Sequence, residues 1–295
     1  MKKAFSCAAN VVEQQSNSML LRLEHQLQIR KTSGKLRALQ PLNKGAPLID
    51  FSSNDYLGLS RSEKLTNKIE DDWKLFKAKQ PVGTPHLGST GSRLLTGNCP
   101  AYEETERYLA DFHGHSHCLL TNSGWDLNFG ILSCVPSTNT IVLYDELSHN
   151  SLITGLQSGR KLKNKSFKHN DMTELRNYLH QIDKGGGNKN SSNDTTPEKL
   201  IVVESIYSMD GDICPINDLF EIAEEFDCMI LVDEAHSTGV LGKRGEGLIS
   251  SLGLQTHQNL LGQLRITLAL SSMLLLLHFY FSSINFDSVS PCIVP

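Results

Sequence analysis

The chain has 295 residues, 39% hydrophobic and 20% charged, with 28 basic against 32 acidic side chains and a net charge of -4. At about 150 residues per domain this is one large domain or two ordinary ones. The balance excludes a wholly disordered or collagen-like chain and gives no electrostatic footprint for a nucleic acid.

Seven cysteines are scattered without a Cys-x-x-Cys pair. An odd count without that spacing speaks against a zinc ribbon or a disulfide framework and points to reduced thiols in a cytoplasmic protein. Lys2 and Lys3 ahead of the run 4–9 weakly imitate a secretory leader, but Asn10 and Glu13 follow too soon. Leu20, Leu21, Leu23, Leu27, Leu36 and Leu39, set among polar and basic residues, predict an amphipathic helix.

Apolar, β-rich runs at 118–121, 140–144, 200–203 and 229–232 alternate with helical patterns at 125–134, 151–158, 172–182 and 216–226. That alternation predicts an α/β fold with a mostly parallel sheet and helices on both faces. The Gly/Asn/Ser-rich stretch 183–199 reads as a mobile surface loop.

In such sheets ligands bind beyond the carboxyl ends of the strands. After 118–121 comes Asn122-Ser123-Gly124-Trp125. A small-residue turn feeding a helix is either a phosphate cradle or an ordinary N-cap. After 140–144, His149 stands at a helix start, where an imidazole stacks on a planar ring or is simply solvated. After 200–203, Ser208 is placed to hydrogen-bond a ligand, while Asp212 follows an Asp-Gly turn.

After 229–232 comes Asp233-Glu234-Ala235-His236. A carboxylate leaving a buried strand needs a cation. Helicases carry the same four letters after a strand, but they need a Gly-x-x-x-x-Gly-Lys-Ser/Thr loop, which this chain lacks. A metal site of Asp233 and His236 lacks companion ligands. Pyridoxal 5'-phosphate (PLP) suits all four strand ends. It needs a phosphate cradle (Ser123, Gly124), a stacking ring (His149), donors near its phenolic oxygen (Ser208, His236) and an anion at its pyridine nitrogen (Asp233).

Six motifs occur in order: 50–60 with Asn54-Asp55-Tyr56-Leu57-Gly58, 88–98 with Ser92-Arg93, Asn122-Ser123-Gly124, 144–149 ending in Ser148-His149, 207–212 with Ser208-Met209-Asp210-Gly211-Asp212, and 232–239. Through them the chain, from about residue 20 to about residue 262, resembles the α-oxoamine synthases, PLP-dependent C-acyltransferases of fold type I. The resemblance implies a large domain over 46–262, incomplete at its carboxyl end, after a helical arm over 1–45 and before a divergent tail over 263–295. It implies His149, Asp233 and His236 as catalytic groups, and Ser123, Gly124, Trp125 and Ser208 as further cofactor contacts. Arg37, Asn54 and His149 match substrate contacts. The family usually has Phe or Tyr where Trp125 stands.

The implied reaction is the biotin-pathway condensation of L-alanine with pimeloyl-CoA, or an acyl-carrier thioester, with loss of CO₂. A glycine-using synthase and a non-catalytic subunit paired with an intact homologue are the alternatives. The implied assembly is a homodimer with interfacial active sites, 88–93 coming from the neighbouring subunit. One departure is plain. The family's Schiff-base lysine lies about 30 residues after the Asp-x-Ala-His motif, and here no lysine follows Lys243. Residues 248–295 carry only Arg265 and Asp287 as charges, and 266–284 carry none. Three explanations of this tail stay open: a retained intron or shifted frame, a membrane anchor, and a diverged core segment.

Overall fold

The computed structural model describes residues 18–37, 39, 51–84, 89–159, 163–185 and 196–264. The leader-like 2–9, Gly88, most of the 183–199 loop and the tail segment 266–284 lie outside the described residues. The chain divides into two units after Ser52. In the first, helix α1 spans 18–32 and keeps Leu20, Leu21, Leu23 and Leu27 exposed. It stops short of the expected 39 because Gly34 turns left-handed (φ 69°) and Lys35 N–H closes back on Arg30 O at 2.8 Å.

The second unit holds helices α2 (Glu63–Lys79), α3 (Pro100–His113), α4 (Gly124–Cys134), α5 (Asn150–Ser158), α6 (Met172–Gly185), α7 (Ile216–Phe226) and α8 (Leu248–Ser251). Its strands are β1 (Thr140–Asp145), β2 (Lys163–Phe167), β3 (Glu198–Glu204), β4 (Met229–Asp233) and β5 (Leu260–Leu264). They pair in parallel in the order β2-β1-β3-β4-β5.

Successive side chains of a strand point to opposite faces. Leu200 and Val202 therefore join Val142, Leu231 and the α4–α5 residues Leu132, Leu152 and Leu156 on one face. Ile201 and Val203 join Leu143, Ile230, Val232 and the α6–α7 residues Leu179, Leu219 and Phe220 on the other. Burial on both faces is what makes these strands continuous apolar runs. From β1 the chain steps outward to β2, then crosses back to β3 on the opposite side. The crevice at this reversal lies at the carboxyl ends of β1 and β3.

Two expectations change. No strand forms at 118–121. The Leu120 N–H is taken by the Glu106 carboxylate at 2.8 Å instead of a ladder, and Cys118 and Leu120 pack against the small Ile69–Leu109 cluster. Conversely, β2 (Lys-Asn-Lys-Ser-Phe) has no apolar run, because an edge strand with four exposed residues needs none. No helix among the described residues is long and apolar enough to cross a membrane.

Helices α4 and α5 approach closely at Gly155. A Cβ there would sit 3.0 Å from Leu132 Cβ, 3.1 Å from Asn128 O and 3.1 Å from Phe129 Cα. Two of those neighbours are backbone, so α4 itself would have to move. Alanine gains about 1 kcal/mol of helix propensity, but such overpacking costs about 1–3 kcal/mol. Gly155→Ala is expected to lower the urea midpoint, a net loss of up to about 2 kcal/mol. An unchanged or raised midpoint would show that the α4–α5 gap is looser than these distances.

Candidate active site

Three strands deliver three carboxylates to the same end of the sheet: Asp145 from β1, Glu204 from β3 and Asp233 from β4. Asp233 is buried, and Asn128, fully buried on α4, holds its Oδ2 through the side-chain amide at 2.8 Å. Its Oδ1 accepts the Ala235 N–H at 2.9 Å. Burial pushes the Asp233 carboxyl upward, opposed by the Asn128 amide, the Ala235 N–H and the nearby His149 and His236. Glu234, next in the motif, turns inward, where its Oε1 accepts from Ser237 Oγ and Ile249 N–H at 3.0 Å each. That pins the loop carrying His236.

His149 caps α5. Its Nδ1 lies 2.6 Å from Ser151 Oγ, and the ring stands edge-on to Trp125 with centroids 6.0 Å apart. Trp125 is in the first turn of α4, whose N-cap Ser123 accepts the Asp126 N–H at 3.1 Å. The first N–H groups of α4, from Gly124 onward, start at this end of the helix, where its dipole favours an anion. Ser123 and Trp125 are exposed and Gly124 is buried.

Glu204 is 2% exposed and registers opposite Asp233. Its Oε1 accepts the His149 N–H, and its Oε2 accepts the Ser208 N–H at 3.3 Å. Burial and the Asp233 charge push it up to about 8, with the two N–H donors pulling the other way. His236 Nδ1 lies 2.6 Å from the Tyr56 hydroxyl, which is 3.4 Å from Asn54 Oδ1. Burial lowers the His236 pKa, with His149 adding to the shift and Asp233 opposing it.

A second cluster sits beside the first. His169 Nδ1 meets Asp145 Oδ1 at 2.9 Å and His169 Nε2 meets Asp212 Oδ2 at 2.6 Å. Its ring stands edge-on to Tyr207 at 4.4 Å. Burial lowers its pKa, but the hydrogen bonds and charges of Asp145 and Asp212 outweigh burial, so the net shift is upward. The staple's stability is therefore fully present below the ordinary value of 6.5 and lost as pH rises through the raised folded value. The urea-midpoint gap between wild type and His169→Gln is expected to be widest at pH 6 and to close in alkali. A gap independent of pH would show that the ring packs without carrying charge.

The expected site residues thus fall into linked sets. The backbone N–H groups of His149 and Ser208 join through Glu204, Trp125 meets His149 ring to ring, His236 and Asn54 join through Tyr56, and Asp233 lies among them. Arg37 is exposed in the first unit. Asn128, Glu204, Tyr56 and the His169 staple were not anticipated. The signals were a lone Asn in an apolar helix and a Glu closing a buried strand. Among the described residues no three His, Cys, Asp or Glu side chains are arranged so that they could hold a metal ion.

The model of the family described as aminotransferase class I and II matches residues 46–269. The chain belongs to that family. It is a family of PLP-dependent enzymes, and the fold here is the α/β fold of its structural neighbours. An 8-amino-7-oxononanoate synthase of Photobacterium profundum is 33% identical over 79% of this chain and 57% of its own length. The aminoacyl transferase sphA of Aspergillus fumigatus is 35% identical over 80% of this chain and 49% of its own. A serine palmitoyltransferase from S. paucimobilis, solved with a bound PLP–myriocin adduct, superposes with a TM-score of 0.62 at 27% identity, covering 79% of this chain and 56% of that one. The chain spans about half the length of the curated relatives it matches.

Proposed function

We propose that this chain carries the PLP half-site of an α-oxoamine synthase acting on L-alanine and pimeloyl-CoA or an acyl-carrier thioester. The observation that carries this is Asp233. It is a buried carboxylate whose hydrogen-bond donors, the Asn128 amide and the Ala235 N–H, are neutral. A protonated pyridine nitrogen is the cation such a group lacks, so the residues present fit the cofactor. When bound, PLP supplies an electron sink for carbanion chemistry at an amino-acid α-carbon.

The remaining steps belong to the chain. Asp233 keeps the ring nitrogen charged, since an opposite charge within ~4–6 Å moves a pKa by ~1–3 units. The amino end of α4 would take the phosphate, held by Ser123, Gly124 and Trp125. His149 would cover the ring face, and Ser208 and His236 would donate toward its phenolic oxygen. Asn54 and Arg37 are assigned to substrate. The assembly is a homodimer. With no lysine beyond Lys243, binding is non-covalent and turnover impaired.

A second reading, a synthase using another amino acid, is favoured by the likeness to serine palmitoyltransferase and sphA. Titrating L-alanine, glycine and L-serine into the PLP-loaded chain and following the cofactor absorbance separates the two. The alanine reading expects saturation with alanine at the lowest concentration. A lower midpoint for glycine or serine assigns the site to the other branch.

A further inference from the structure

Asn128, Ser151 and His149 form a hydrogen-bond chain in which every proton can be assigned. The Asn128 amide nitrogen has two protons and lies 2.8 Å from both Asp233 Oδ2 and Ser151 Oγ. A carboxylate oxygen only accepts, so one proton goes to Asp233 and the other to Ser151. The Ser151 hydroxyl therefore accepts from Asn128. Its own proton is left for His149 Nδ1 at 2.6 Å. The Ser151 backbone N–H, which can only donate, also points at Nδ1 from 3.3 Å.

Both neighbours of Nδ1 are donors, so a neutral ring holds no proton there. The opposite amide orientation would press Asn128 Oδ1 against the Asp233 carboxylate. The present one leaves that Oδ1 without a partner, which is the smaller cost. Asn128 and Ser151 are both fully buried, so water does not substitute for either link.

We infer that Ser151 and Asn128 are positioning residues that lock neutral His149 with its proton on Nε2 and tie that choice to Asp233. The exposed ring then offers the cleft an N–H donor rather than a lone pair. That suits an acceptor on the ligand, such as a carboxylate or thioester oxygen. Which nitrogen of a histidine carries the proton is set by the partner of the other, and here the partner chain ends on the strand-end carboxylate.

The full chain, labelled with ¹⁵N-histidine and free of cofactor, tests this at pH 8 by two-bond ¹H–¹⁵N correlation. A His149→Gln sample identifies the His149 signals. The expected pattern is a single tautomer, with Nε2 protonated and Nδ1 bare. Ser151→Ala should lose that pattern, the two nitrogen shifts moving toward each other, and Ser151→Thr should keep it. A wild-type spectrum with the proton on Nδ1 overturns the proposal, as does an unchanged pattern in Ser151→Ala. The wild-type spectrum decides even where a variant fails to fold. Because no cofactor is present, failure of the PLP reading leaves the result intact.

Discussion

Asp233→Asn is expected to weaken PLP binding by roughly tenfold to a thousandfold, the span that ~1–3 pKa units of lost stabilisation represents. The carboxylate is buried at the end of β4 and its donors are neutral, so its charge is available to a ligand cation. An amide of the same shape cannot hold the pyridine nitrogen protonated. The phosphate site proposed at the start of α4 is untouched by this substitution, so residual binding should persist at high PLP. Equilibrium titration of Trp fluorescence measures the loss, with far-UV circular dichroism confirming the fold. Equal affinity in wild type and variant would make Asp233 a structural strand-end residue.

The second large effect is on stability against pH. Glu204 is pushed from 4.5 to about 8, first by burial and then by Asp233. A raised carboxyl binds its proton more tightly in the folded state than in the unfolded one. Its stability contribution is complete below about pH 4.5 and disappears as pH rises to about 8. At ~1.4 kcal/mol per unit the loss across that window is on the order of 5 kcal/mol. Glutamine cannot titrate, so Glu204→Gln should flatten this slope in urea unfolding from pH 5 to pH 8.5. Asp233→Asn should flatten it partly, because it removes the neighbouring charge. A wild-type slope that survives unchanged in Glu204→Gln would place the titrating group elsewhere, His169 being the next candidate.

Much of the fold was legible because β1, β3 and β4 are buried on both faces and so read as apolar runs. Asp145, Glu204 and Asp233 directly follow those runs, at the last positions of the strands, which is why reading outward from each run reached the cleft. Polar β2 was illegible for the opposite reason: an edge strand needs no hydrophobic pattern. The run at 118–121 misled because Leu120 gives its N–H to Glu106, a partner invisible to local pattern. Within the site, groups at strand ends could be read from the chain, but Asn128 and Tyr56 could not. They act across 105 and 180 residues of sequence, on Asp233 and His236 respectively. Only the fold brings such pairs together.

The most direct test of the central claim is a visible-region circular dichroism titration of the purified chain with PLP. The cofactor is achiral, so a band appears only when the protein holds it in a fixed asymmetric site. The Asp233 cleft predicts a band that saturates at one PLP per chain and vanishes on dialysis, since no lysine follows Lys243. Absence of a saturable band, or a band that survives dialysis, would contradict a non-covalent PLP site at these strand ends.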